Sequence, residues 1–135
     1  MMSKYEGRRA SEDDVVDLAQ WVPYPPNRRT SFIQSLLNYV RVPYTRVVVV
    51  EKEGALVAFA LLWLKHSAVT QTITAEIKDL VLKEPSDREA LQVLLDTCEQ
   101  TVKNMGASEI ELYCESLDLH EFGYNTFSSF WRKGV

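Results

Sequence analysis

Four stretches of this chain carry side chains suited to chemistry. Residues 71–83 alternate apolar and polar types, with Glu76 on the polar side. Residues 86–91 (Ser86, Asp87, Arg88, Glu89, Ala90, Leu91) open a helix-like run. A helix start presents backbone N–H groups that favour an anion, and Arg88 adds a positive charge there. A proline-broken stretch holds Trp21, Tyr24, Arg28 and Arg29, aromatic and basic together. It serves either as the mouth of a binding site or as a packed loop with its arginine heads in water. His120 could exchange protons near neutral pH, but it lies in a loop-like stretch with no evident partner. Two cysteines, Cys98 and Cys114, make neither a disulfide framework nor a metal site, so no metal is expected. Both stand where a small apolar side chain is wanted and read as buried, reduced thiols.

The elements that must position these groups follow from periodicity. In residues 71–83, Ile73, Ala75 and Ile77 alternate with polar neighbours, then Leu80 and Leu82 take over the apolar side. A one-residue slip of this kind predicts a β-bulge near Lys78 and Asp79. Asp79 then has a structural role, bonding nearby backbone N–H groups. Pro85 breaks the strand, and Ser86 or Asp87 is placed to cap a helix, with Ser86 and Glu89 at capping-box spacing. Leu91, Leu94, Leu95, Cys98, Val102 and Met105 line one helical face, and Gly106 ends it. Residues 109–114 read as a strand, which predicts a right-handed crossover between parallel strands.

Upstream, residues 1–9 read as an edge strand or a loose end. A first helix starts at Ser11, with Asp14 three residues on. A second runs from about Thr30, with Phe32, Ile33, Leu36, Leu37 and Val40 along one stripe. The β-branched run 47–50 predicts a strand covered on both faces. Lys52, Glu53 and Gly54 form a hairpin turn, residues 55–64 return, and residues 65–70 are a polar loop. Residues 120–132 are weakly helical with aromatic anchors, and Trp63 and Trp131 are assigned to the core. The order predicts one domain over 1–135 and an α+β (α/β) fold. Its mixed, mostly antiparallel sheet is flanked by about four helices.

Bulk properties narrow the function. The 135 residues suffice for one core, and 46% hydrophobic with 25% charged is ordinary for a globular domain. Net charge −4 argues against a nucleic-acid coat, which needs a basic surface. Residues 55–64, the longest apolar run, are too few to span a bilayer, and the N-terminal residues carry no apolar leader. The expectation is a cytoplasmic protein with neither membrane nor nucleic acid as partner.

Over nearly its whole length the element order resembles the GNAT acetyltransferase superfamily. Arg8-Arg9-Ala10-Ser11-Glu12-Asp13-Asp14-Val15 looks like its opening strand and acidic helix start. Glu76-Ile77-Lys78-Asp79-Leu80-Val81-Leu82 looks like its bulged fourth strand. Ser128-Ser129-Phe130-Trp131-Arg132-Lys133-Gly134-Val135 looks like its F-Y-E-K-x-G-F signature. The resemblance implies acetyl-CoA as cofactor, with its pantetheine arm along Leu80, Val81 and Leu82. Its diphosphate would lie on Arg88, Glu89 and Ala90, and Phe130 would also border the cofactor. It implies an amine substrate that enters by Trp21, Tyr24, Arg28 and Arg29. Glu76 is the implied base, against a solvent-facing strand glutamate; His120 is a further catalytic candidate. Tyr124 is the nearest phenol to the family's thiolate-protonating tyrosine, whose position holds Phe130.

The sequence departs from the family in three ways. The family's R-G-x-G-x-G phosphate loop is matched by a stretch with no glycine and with Asp87 and Glu89. The phenol is lost, and the family's final strand pair has no counterpart. An alternative reading is therefore a GNAT-like binding or dimerisation domain that has lost CoA. A third is a domain that holds another anion through Arg88. The missing strands predict a homodimer, or a partner that completes the sheet edge.

Overall fold

The computed structural model describes residues 4–112, 118–126 and 132–135. In chain order the elements are β1 (Tyr5–Arg9), α1 (Asp14–Trp21), α2 (Arg29–Arg41), β2 (Thr45–Lys52), β3 (Ala55–Ser67), β4 (Thr72–Leu82), α3 (Arg88–Asn104) and β5 (Glu109–Leu112). A single 3-10 turn, His120–Phe122, follows. The strands form one sheet in the order β1-β2-β3-β4-β5. It is antiparallel from β1 to β4, and β5 joins β4 in parallel after α3 crosses over. The expected mixed sheet in an α+β arrangement is what forms.

The bulge lies where the apolar phase slips. Ile77 pairs with Leu62 and Asp79 with Leu61, so Lys78 is the extra residue on β4. Before it Ala75 and Ile77 pack under α3; after it Leu80 and Leu82 do so, while Val81 turns to the α1–α2 side. A second slip, between Val50 and Glu51 of β2, leaves Val57 as an extra residue on β3.

Residues 47–50 are fully covered, as their composition requires. Val48 and Val50 meet α3, while Val47 and Val49 meet α1 and α2. Ala58, Ala60 and Ala75 keep the sheet thin beneath Leu91, Leu94, Leu95 and Cys98 of α3. Burial pushes the Cys98 thiol up to about 12, so it stays protonated and inert.

Several boundaries differ from expectation. β3 runs on to Ser67, because Lys65, His66 and Ser67 pair with Thr74, Ile73 and Thr72; backbone pairing does not need apolar side chains. The β2–β3 turn needs positive φ at both Glu53 (52°) and Gly54 (87°), a primed turn. α1 begins at Asp14, not Ser11: the Asp14 carboxylate reaches back to accept from Ser11 N (2.8 Å) and Oγ (3.3 Å). Of the two cap candidates Asp87 is the one used: its carboxylate accepts from Ala90 N (3.1 Å). Gly106 ends α3 at φ 90°, as expected. The expected helix over 120–132 is reduced, among the described residues, to the 3-10 turn, closed by Gly123 at φ 87°. Cys114, Phe130 and Trp131 lie outside the described residues.

β1 is tied to both layers. The Arg8 guanidinium donates to both Asp14 oxygens (2.8 and 2.9 Å) and reaches Glu51 (3.4 Å). Gly7 lies against α3 so closely that an added Cβ would stand 1.9 Å from Thr97 Oγ1, itself held by Val93 O at 2.7 Å.

Gly7→Ala is expected to destabilise the fold by about 1–3 kcal/mol through overpacking, read by urea denaturation. Adding Thr97→Ala should return part of that loss, and additive effects would show that Gly7 matters for another reason. The Asp14 carboxyl is held below its ordinary range chiefly by the hydrogen bond from Arg8, with burial opposing. Its contribution is present above the unfolded-state value of about 3.9 and is lost as pH falls through the lower folded value. Arg8→Gln should therefore flatten the acid limb of stability against pH; an unchanged limb would remove Asp14 from the account.

Candidate active site

β4 is the strand on which the candidate groups converge. Its last described parallel pair with β5 is Ile77 with Leu112. Beyond it, β4 continues from Lys78 to Leu82, paired with β3. The bulge thus sits where β4 passes the described end of β5.

Glu76 stands one residue before that point. Its neighbours Ala75 and Ile77 are buried under α3, so Glu76 faces the other side of the sheet. In register with it are Trp63 on β3 and Glu111 on β5. Lys65 Nζ lies 3.4 Å from one Glu76 oxygen and Lys78 Nζ 3.5 Å from the other. Lys65 also reaches Glu111 at 2.9 Å. The Glu76 side chain keeps 26% of its surface open to solvent. Trp63, assigned to the core on sequence, is 36% exposed, with the Tyr44 ring 6.2 Å away at a tilt. This face therefore presents a carboxylate, two ammonium groups and an exposed aromatic pair.

A second group of candidates lies at the start of α3. Here the N–H of Ala90 is already taken by Asp87, and the Tyr5 hydroxyl donates to the same carboxylate at 3.0 and 3.1 Å. Arg88 pairs with Glu121, and its guanidinium lies 5.0 Å from the centre of the Phe122 ring. Arg88, Asp118, His120 and Glu121 line a cavity of about 410 Å³. His120, which lacked a partner on sequence, has one: its Nδ1 lies 2.7 Å from Asp118 Oδ1. Bonds from the His120 backbone N–H and ring hold the Asp118 carboxyl below its ordinary range.

Tyr124 is elsewhere. Its hydroxyl donates to Glu99 Oε2 at 3.0 Å, and burial with the Glu99 charge raises its pKa well above the phenol range. Glu99 lies eleven residues along α3 from Arg88, or about 16 Å at the rise of an α-helix. The Tyr24 hydroxyl donates to Ala19 O (2.8 Å) at the end of α1, and the ring stacks on Phe32 at 4.6 Å. Arg29 supports the same carbonyl at 3.4 Å. Trp21 packs beside Leu18 and Phe59, with Lys83 Nζ 6.0 Å from its ring. The Trp21 Nε1 is buried with no hydrogen-bond partner among the described residues. Arg28 is exposed at the start of α2.

The sequence pattern matches no known family, and no curated protein is similar to it. Solved structures are another matter. A GNAT family acetyltransferase from Staphylococcus aureus superposes with a TM-score of 0.78 at 16% identity, over 99% of this chain and 100% of that one. The chain has the GNAT fold. Glucosamine-6-phosphate N-acetyltransferase from Arabidopsis thaliana shares this GNAT arrangement (TM-score 0.76, 15% identity, 96% and 97% covered). So does a predicted acetyltransferase from Clostridium acetobutylicum solved with acetyl-CoA (TM-score 0.76, 14% identity, 96% of each chain).

Were acetyl-CoA a ligand, the described residues would suit it only in part. Its arm could lie on β4 beyond the bulge, where Leu80, Val81 and Leu82 remain partly exposed. The diphosphate does not suit the α3 start as it stands: the Asp87 carboxylate occupies the Ala90 amide, and Arg88 already has an anion. Lys65, Lys78 and Tyr5 were not singled out on sequence. Strand register brings Lys65 across to Glu76, Lys78 stands two residues along the same strand, and sheet packing brings Tyr5 to Asp87.

Asp87→Asn keeps an oxygen for Ala90 N but removes the charge. It should tighten CoA binding severalfold, since one unit charge at 4 Å is worth about 1 kcal/mol in water. Isothermal titration compares the two, and unchanged or weaker binding would show that this carboxylate does not oppose the diphosphate.

Proposed function

We propose that the protein transfers an acetyl group from acetyl-CoA to a primary amine, with Glu76 as the base. The observation that carries this reading is the placement of Glu76, a partly open carboxylate beside the bulge. The GNAT fold of the whole chain supports it, although fold alone does not assign chemistry.

The acceptor reaches the site as an ammonium ion, and Glu76 takes one proton from it, leaving the nitrogen lone pair free to attack. Acetyl-CoA, when bound, supplies the activated thioester carbonyl and a sulfur leaving group. Leu80, Val81 and Leu82 of β4 would hold that thioester, and Trp63 and Tyr44 would offer an apolar flank to the acceptor's stem. The Tyr124 hydroxyl, committed to Glu99, is not available to the leaving sulfur in this arrangement. Water supplies that proton instead.

The closed start of α3 favours a second reading, a GNAT-like binding or dimerisation domain without CoA. Asp87 and Glu121 meet the two groups, the Ala90 amide and Arg88, that would hold a diphosphate.

Titration calorimetry with acetyl-CoA, and with free CoA alongside, separates the two. Micromolar binding is expected, and Glu76→Gln should then lower kcat by about 10²–10⁴ while leaving cofactor affinity unchanged. No heat at millimolar ligand would overturn the enzymatic reading in favour of the second.

A further inference from the structure

The candidate base already has amines against it. Lys65 and Lys78 each place Nζ within 3.5 Å of a Glu76 oxygen. The two are not equivalent. Lys65 is also hydrogen-bonded to Glu111, which is the largest cause of its raised pKa, so it holds its proton tightly. Lys78 is the inserted residue of the bulge, next to the last described β4–β5 pair. Its side chain is 44% exposed and meets the Glu76 oxygen that Lys65 leaves.

We propose that Lys78 is itself an acetyl acceptor, modified within the same chain by an acetyl thioester lying along β4. This rests on the acetyl-transfer reading above. In the step, Glu76 takes a proton from the Lys78 ammonium and Nζ attacks the thioester carbonyl carbon. The C–N bond forms, the C–S bond breaks, sulfur leaves as thiolate, and water returns a proton to it. The place of Lys78 on β4 favours this route, because an amine already held beside Glu76 reacts without the entropy cost of bringing in a free one. The product is a neutral amide. Acetylation therefore removes one of the two cations from Glu76 and makes the patch of Lys65, Lys78, Glu76 and Glu111 net negative. A cationic acceptor would meet that altered patch, so the first turnover prepares the site for later ones.

The test uses the full chain with acetyl-CoA, and in parallel with S-acetylpantetheine, which lacks the diphosphate and so bypasses the closed α3 start. Peptide mapping by mass spectrometry should place the acetyl group on Lys78, with the exposed Lys103 as internal comparison. Glu76→Gln should slow labelling of Lys78 by about a hundredfold and leave Lys103 unchanged. Lys78→Arg should abolish the modified peptide without moving it to Lys65. Bromoacetyl-CoA, which alkylates the nearest nucleophile without needing the base, should mark Lys78 as well. Calorimetry on the same samples separates the failures. Binding of acetyl-CoA with acetyl groups spread evenly over exposed lysines, at equal rates in Glu76→Gln, overturns this proposal and leaves the function standing. Absence of both binding and Lys78 labelling by either thioester overturns both.

Discussion

One inserted residue organises this structure. Lys78 bulges from β4, and because side chains alternate across a strand, a single extra residue exchanges the two faces for everything after it. Without the bulge, Leu80 and Leu82 would turn to the α1–α2 side, and Asp79 and Val81 would be driven under α3. With it, Leu80 and Leu82 join the apolar bed on which Ala90, Leu91 and Leu94 rest. The insertion also comes just past the last described β4–β5 pair, Ile77 with Leu112. The same local event thus closes the core on one side and positions Glu76 and Lys78 on the other.

Electrostatics around Glu76 and at the α3 start run in different directions. Around Glu76, carboxylates and ammonium groups alternate, Glu111 to Lys65 to Glu76 to Lys78, in a half-exposed patch where each pair is worth little by itself. Its geometry keeps a carboxylate beside amines. At the α3 start the chain supplies its own anion. Asp87 completes the helix end, and Tyr5 reaches across from β1 to hold it there, so capping ties the edge strand to the helix. Glu121 does the same for Arg88. A helix end can satisfy its amides with an internal carboxylate or with a ligand phosphate, and the resting structure takes the first course.

The similarity to solved acetyltransferases, at 14–16% identity over nearly whole chains, shows what GNAT proteins can share when side chains do not match. They share the order of strands, the crossover through the third helix and the placement of the sheet, all of which depend on pattern more than on particular residues. The residues that grip phosphate or donate protons are free to change on that frame. In this chain residues 86–91 at the α3 start contain no glycine, and the Tyr124 phenol is bonded to Glu99.

The sequence by itself determined the parts that are local. The phase slip at Lys78, the doubly covered run 47–50, the helix with Leu91, Leu94 and Cys98 inward, and its end at Gly106 all follow from periodicities of two and 3.6 and from positive φ. The crossover to a parallel β5 follows from chain connectivity and handedness. Tertiary structure decided what meets across the chain: Tyr5 with Asp87, Arg8 with Asp14 and Glu51, Lys65 with Glu76 and Glu111, Tyr124 with Glu99. It also decided that Trp63 stands half open beside Glu76, and that the strand arms reach Ser67 on backbone pairing alone. The division has a physical cause. Apolar periodicity reports how a segment turns its faces, because burial acts on each residue separately. A hydrogen bond or ion pair between distant residues needs two positions to coincide within about 3 Å, and no property of either residue alone encodes where the other will be.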